Sequence, residues 1–192
     1  MRSKPSILLN QRKYALELIS DTGLSGAKLV STPLEANVKL TTIEYDKLTG
    51  TTNDPVYKDV TAYQRMVGRL LYLTITRPDI SFAVQVLSQF MQRPKLSHWE
   101  TALRLVRYIK NCHGQGILLS STKSLELEAF CDSDWAACPN TRRFVTGYMV
   151  KLEDSLISWK SKKQHTVSRS SAEAEYRSMA GAVADSVFTF TV

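Results

Sequence analysis

Cysteine is scarce in this chain of 192 residues, and the three cysteines present, Cys112, Cys131 and Cys138, have no CxxC spacing. An odd number without that spacing argues against a disulfide framework and a zinc knuckle, so the sequence predicts free thiols in a reducing compartment. Apolar runs long enough to span a bilayer are absent as well. Residues 1–20 lack the pattern of a signal peptide, and we expect no membrane anchor.

Acidic residues are outnumbered by basic ones, 18 against 25, which leaves a net charge of +7 and a pI of about 9.4. An excess of positive charge suits a polyanionic partner such as nucleic acid, but it also serves solubility alone. Hydrophobic residues make up 43% of the chain, which is typical of a globular protein with one domain or two small ones.

Apolar residues recur with the helical period in residues 11–20 and three more times between residues 61 and 112. Asp79 follows Pro78 and is a candidate cap for the second of these three helices, and Ser97 and Glu100 have capping-box spacing in the third. The segment from residue 24 to residue 60 is rich in Thr, Asn, Asp, Gly and Pro, which predicts a long irregular connection.

The apolar period changes from 3.6 to 2 near residue 125. Strands are predicted to begin near Leu125, Phe144 and Ser155, with a tight turn at Glu153–Asp154. An Ala-rich final helix follows, with Ser170 or Ser171 as its cap. The predicted class is therefore α/β of the α+β type, with helices first and then strands and a helix.

Four carboxylates stand out in this last third of the chain. Asp132 and Asp134 follow the first strand, and Glu173 and Glu175 lie in the first turn of the helix. A strand end and a helix start can bring such groups together around Mg²⁺ or Mn²⁺, which prefer oxygen ligands. The structural alternative is that the Asp residues shape a turn and the Glu residues favour the helix dipole.

Three stretches of the sequence resemble the polyprotein of copia-type retrotransposons: YQRMVGRLLYLTITRPDISFAVQVLSQFM, DSDWAACPNTRRFVTGYMV and LISWKSKKQHTVSRSSAEAEYRSMA. The resemblance extends to about residue 184. It implies the end of a reverse transcriptase and an irregular linker in residues 1–60, a helical connection region in 61–120, and a ribonuclease H-like domain in 121–192.

By this resemblance Asp132 and Glu175 match the first two of four metal-binding carboxylates of ribonuclease H, with Asp134 and Glu173 as alternatives. In the family these residues hold Mg²⁺ and cut the RNA strand of an RNA–DNA hybrid. The basic residues expected to meet nucleic-acid phosphates, unless they form only a solvated loop, are Lys160, Lys162, Lys163 and Arg169.

The family pattern continues with further strands that carry the third and fourth carboxylates, whereas this sequence ends after DSVFTFTV. We therefore expect a partial ribonuclease H-like fold of three antiparallel strands and one helix, with weak Mg²⁺ binding and no independent catalysis. We also expect self-association through an exposed sheet edge. The alternatives are a ribonuclease H completed by a partner chain, a non-catalytic nucleic-acid-binding remnant, and an inert reading frame.

Overall fold

The fold is described from a computed structural model, which covers residues 2–3, 6–51, 53–121, 126–136 and 138–190. The chain forms two compact units. One comprises Asn10–Gln115, and the other combines Met1–Leu9 with Gly116–Val192. The α+β class predicted from the sequence is confirmed, because a helical part precedes an antiparallel sheet and a final helix.

The unit Asn10–Gln115 is helical. Its elements are α1 (Arg12–Asp21), α2 (Ile43–Thr49), α3 (Val60–Leu73), a 3-10 turn (Pro78–Ile80), α4 (Ser81–Ser88) and α5 (Leu96–Asn111). Their apolar stripes meet in one core, where Leu18, Tyr63, Leu87 and Ile109 are almost fully buried. Burial of these stripes is the main favourable contribution to the stability of such a unit.

The segment expected to be an irregular connection contains α2, which begins after Thr42 and ends at Gly50 with φ 73°. It is held to the start of α5 by the buried Lys95, whose Nζ lies 2.5 Å from Asp46 Oδ2 and 2.9 Å from Asp54 Oδ2. The ammonium is satisfied by two carboxylates, which makes its burial tolerable. The segment is therefore part of the helical unit and not a free linker.

Two of the predicted helix caps are wrong. Asp79 accepts hydrogen bonds from the guanidinium of the buried Arg77, at 2.7 and 2.9 Å, and does not cap α4. Ser97 lies inside α5, where its hydroxyl donates to Asp54 at 2.6 Å. In both cases a partner distant in sequence or a buried cation binds the polar side chain more strongly than the helix end does.

The second unit contains two small sheets. One sheet pairs β1 (Arg2–Ser3) with β2 (Ser6–Leu9), and β2 with β3 (Ile117–Ser120), all antiparallel. The other has the order β4 (Leu127–Asp134), β5 (Val145–Leu152) and β6 (Ser155–Lys163), also antiparallel. The predicted turn at Glu153–Asp154 connects β5 and β6. Leu125, the predicted first residue of β4, lies outside the described residues.

The last element, α6 (Ser171–Phe190), packs against β4 and β5. Ser170 caps it, because its hydroxyl accepts a hydrogen bond from the backbone N–H of Glu173 at 3.1 Å. This is one of the two caps that the sequence predicted. No helix in the described part of the chain is long and apolar enough to cross a membrane.

Candidate functional site

Asp132 lies in the second half of β4, opposite Gly147 of β5. Its carboxylate is exposed and forms no hydrogen bond or ion pair within the described residues. Asp134 is two positions further along the strand, so the two side chains leave the same face of the sheet. β4 thus presents one uncommitted carboxylate next to a second acidic group.

Glu175 lies near the start of α6 and is exposed. The face of α6 that packs on the sheet consists of Ala174, Ser178 and Ala182, which recur every four residues and are almost fully buried. Small side chains at these positions allow the helix backbone to approach the sheet closely. Glu175 is adjacent to this face, and its carboxylate has no hydrogen-bond or ion-pair partner in the described part of the chain.

One hydrogen bond joins α6 to β4 at the position of Asp132. The hydroxyl of Ser178 donates to the backbone carbonyl of Asp132 at 3.0 Å, and Ser178 is 4% exposed. Glu175 precedes Ser178 by three residues, so it lies one turn earlier on the same side of the helix. The structure therefore brings the helix turn that carries Glu175 next to the strand that carries Asp132.

The two alternative carboxylates have structural partners. Asp134 accepts a hydrogen bond from the backbone N–H of Val145, which connects the two ends of the loop between β4 and β5. Glu173 accepts one from the backbone N–H of Arg169 at 2.8 Å and forms an ion pair with Arg177, also at 2.8 Å. Both serve local structure, which distinguishes them from Asp132 and Glu175.

Burial raises the pKa of Asp134, and the nearby charge of Asp132 raises it further. The hydrogen bond from Val145 acts in the opposite direction but does not cancel these effects. Like charges on neighbouring positions disfavour joint ionisation unless a cation screens them. The Asp132–Asp134 pair is thus a local concentration of negative potential at the end of β4.

The three lysines among the four basic residues do not all lie on one face of β6. Lys160 and Lys162 share a face of β6, and Lys163 points to the other face. Lys160 forms an ion pair with Asp185 of α6 at 3.4 Å, and Lys163 donates to the sulfur of Cys138 at 2.8 Å. Lys162 and Arg169 are exposed.

Hard oxygen donors such as Asp132 and Glu175 are the type of ligand that Mg²⁺ prefers, so the donor chemistry fits. The number of donors is small, because the described residues contain no group of three or more His, Cys, Asp or Glu side chains that could hold a metal ion. Two carboxylates leave most of an octahedral shell to water.

Two features of this region were not predicted from the sequence. Ser178 joins α6 to β4, and the small-residue spacing of Ala174, Ser178 and Ala182 is the signal that could have identified this packing face. Cys138 and Lys163 form a close pair although 25 residues separate them. No sequence signal indicates this second contact, because it depends on how the loop after β4 folds back.

Comparison with known proteins found several relatives. An uncharacterized mitochondrial protein of Arabidopsis thaliana is 40% identical over 94% of this chain and 71% of its own length. The retrovirus-related Pol polyprotein from transposon RE1 of the same plant is 44% identical over 90% of this chain. The retrovirus-related Pol polyprotein from transposon TNT 1-94 of Nicotiana tabacum is 33% identical over 91% of it.

This chain spans only a small part of the polyproteins, 11% of the RE1 polyprotein and 13% of the TNT 1-94 polyprotein. No protein-family model matches the chain, and no solved structure matches it either. These three relatives each cover nearly all of the chain, through both of its compact units. The chain is homologous to the Pol polyproteins of copia-type retrotransposons over about 90% of its length.

Proposed function

We propose that this chain is a Pol polyprotein segment of ribonuclease H lineage that holds two metal-binding carboxylates, Asp132 and Glu175, and does not cut RNA–DNA hybrids by itself. The observation that carries the proposal is the hydrogen bond from Ser178 to the carbonyl of Asp132. This bond docks α6 on β4, and Glu175 precedes Ser178 by one helical turn. Homology to Pol polyproteins supports the same lineage.

The proposed inactivity follows from the ligand set. Mg²⁺ dehydrates reluctantly and requires near-octahedral oxygen ligands, so two carboxylates hold it weakly. Asp134 is engaged with Val145, and Glu173 is engaged with Arg169 and Arg177, so neither is free to add a third ligand without loss of local structure. When bound, the ion would supply the Lewis acid for phosphodiester cleavage.

The test uses Mn²⁺ as a paramagnetic substitute for Mg²⁺ together with a cleavage assay. We expect Mn²⁺ to broaden the backbone amide NMR signals around Asp132 and Glu175, and Asp132→Asn or Glu175→Gln to abolish that broadening. The matched control is Asp154→Asn, which removes an exposed carboxylate from the turn between β5 and β6 and should leave the broadening unchanged.

The cleavage assay incubates the purified chain with a labelled RNA–DNA hybrid and Mg²⁺, and we expect intact RNA. Cleavage that requires Mg²⁺ and is lost in Asp132→Asn would instead establish a competent ribonuclease. Broadening that is absent, or is centred away from β4 and α6, would reject the proposed pair of ligands.

A second candidate function is nucleic-acid binding without catalysis, which the exposed Lys162 and Arg169 and the net charge of +7 favour. Binding through phosphates releases counterions, so the affinity for a hybrid should fall steeply with salt. Lys162→Gln should weaken binding and reduce the slope of log K against log [KCl] by about 1. Lys13→Gln, which alters an exposed lysine of the helical unit, serves as the control. Binding that does not depend on salt would reject this function.

A further inference from the structure

The loop between β4 and β5 holds a cysteine next to a lysine. Cys138 is half-buried, and its sulfur accepts a hydrogen bond from Lys163 Nζ at 2.8 Å and another from the Thr141 hydroxyl at 3.3 Å. Lys163 is the last residue of β6, so a rigid strand positions the ammonium. The backbone N–H of Arg142 donates to the Cys138 carbonyl at 2.9 Å, which closes the loop around the thiol.

These contacts favour the anionic form of the sulfur. An ammonium and a hydroxyl that both donate to a sulfur atom stabilise a thiolate over a thiol. Burial raises the pKa of the Cys138 thiol, but the hydrogen bonds from Lys163 and Thr141 outweigh burial and hold the pKa below its ordinary value. The exposed side chains of Arg142 and Arg143 add positive charge to the same loop.

The other two cysteines have different surroundings. Cys112 lies in the helical unit, where its sulfur accepts a hydrogen bond from Arg77 Nη2 at 3.2 Å and its S–H donates to the carbonyl of Tyr108 at 3.4 Å. The same Arg77 nitrogen is paired with Asp79 at 2.7 Å, so Cys112 shares this cation with a carboxylate. Cys131 lies on β4, is exposed, and has no hydrogen-bonding partner in the described ranges of the chain. Cys131 is therefore the internal reference for the reactivity of Cys138.

We propose that Cys138 is a modification site that small peroxides oxidise to a sulfenic acid, and that Lys163 activates it. The thiolate attacks one peroxide oxygen, so an S–O bond forms and the O–O bond breaks. The sulfur loses two electrons and the peroxide gains them. The departing hydroxide takes a proton from solvent and leaves as water.

The experiment treats the purified full chain with hydrogen peroxide, traps sulfenic acid with a dimedone probe and quantifies each cysteine by peptide mass spectrometry. At pH 7 we expect Cys138 to be labelled about tenfold faster than Cys131, despite the greater exposure of Cys131. The pH at which labelling reaches half its maximal rate should also be lower for Cys138.

Lys163→Met should slow labelling of Cys138 to the rate of Cys131, and Lys163→Arg should retain most of the rate because it keeps the positive charge. Thr141→Val provides a second test that leaves β6 unchanged, and it should shift the half-maximal pH of Cys138 upward. Circular dichroism identifies any variant that has lost its fold. Equal rates for Cys138 and Cys131 in the unaltered chain, or an unchanged rate in folded Lys163→Met, would overturn the proposal.

Discussion

At the scale of single residues, the buried ring of His98 makes the stability of the chain depend on pH. The ring is fully buried at the start of α5, where Nδ1 accepts a hydrogen bond from the backbone N–H of Lys95 at 3.0 Å. Nε2 lies 3.2 Å from the carbonyl of Thr41, so the neutral ring with a proton on Nε2 satisfies both contacts. Its charged neighbours are Lys95, Asp46 and Asp54.

Burial, followed by the charge of Lys95, lowers the pKa of His98 to about 4 from 6.5. Between pH 6.5 and pH 4, His98 is protonated in the unfolded chain but stays neutral in the folded chain. The free energy of unfolding therefore decreases as the pH falls through this range. A shift of this size corresponds to about 3 kcal/mol over that window. Urea unfolding at a series of pH values measures the slope.

Two variants separate the contribution of His98 from that of other groups. His98→Gln does not titrate and should flatten the slope between pH 6.5 and pH 4. His113→Gln replaces a histidine outside this buried cluster and should leave the slope unchanged. A slope in His98→Gln equal to that of the unaltered chain would contradict the assignment. The pKa values of Asp46 and Asp54 are lowered in the folded chain. The stabilisation that these two carboxylates contribute is therefore lost at a more acidic pH than the contribution of His98.

At the scale of elements, α6 is attached to the sheet by small residues, by the hydrogen bond from Ser178 to the Asp132 carbonyl and by the ion pair between Asp185 and Lys160. Its outer face is apolar and exposed, with Tyr176 72%, Met179 51% and Val183 61% accessible. Packing of Ala174, Ser178 and Ala182 alone buries little apolar area, so each polar contact carries a larger share of the docking free energy. α6 should therefore be sensitive to changes on its inner face.

Ser178→Ala removes the hydrogen bond to the Asp132 carbonyl without adding volume. We expect this variant to lower the free energy of unfolding by about 1 kcal/mol. Faster amide hydrogen exchange should appear in α6 and in the β4 residues around Asp132. Met179→Ala changes the exposed face by truncating an accessible side chain and should leave exchange unchanged. If the two variants have the same effect, Ser178 is not the contact that docks the helix.

At the scale of the whole molecule, β4 is an edge strand. No strand pairs with its outer side within the described residues. The backbone N–H of Glu153 donates to the carbonyl of Glu126 at 2.9 Å, and the β4–β5 register continues without interruption from there. In an antiparallel ladder, successive residues direct their backbone N–H and C=O groups to opposite sides of the strand. The N–H and C=O groups of residues 127, 129, 131 and 133 therefore point away from β5. Such open backbone groups are a template for pairing with another strand.

We expect the chain to associate with itself through this edge as its concentration rises, and sedimentation velocity measures the association. Ala129→Pro should reduce it, because proline removes an outward-pointing N–H and no bond to β5. Ala129→Val retains the N–H and should associate as the unaltered chain does. Association that is equal in both variants would show that the edge of β4 is not the interface.

Local patterns accounted for much of the fold. Apolar residues at helical spacing located α1, α3, α4 and α5, and alternation located β4, β5 and β6. The turn at Glu153–Asp154 and the cap at Ser170 were also predictable, since turns and caps depend on a few adjacent residues. β2 and β3 were not predicted, because each is a run of four residues whose pairing partner lies more than 100 positions away.

Some features of the candidate site could likewise be predicted from the sequence, and others depend on tertiary contacts. The identity of Asp132 and Glu175 as candidates came from sequence motifs, and homology to copia-type Pol polyproteins follows from the sequence too. That Asp134 and Glu173 have structural partners, and that Lys163 contacts Cys138, depends on contacts across strands and loops.

By itself the sequence determined the α+β class, the order of the main helices and strands, and the homology to Pol polyproteins, because periodicity and motifs are properties of neighbouring residues. Only the tertiary structure decided which charges are paired. A carboxylate or an ammonium binds whichever opposite charge or backbone group the fold places within about 3 Å, and that partner is usually distant in the chain.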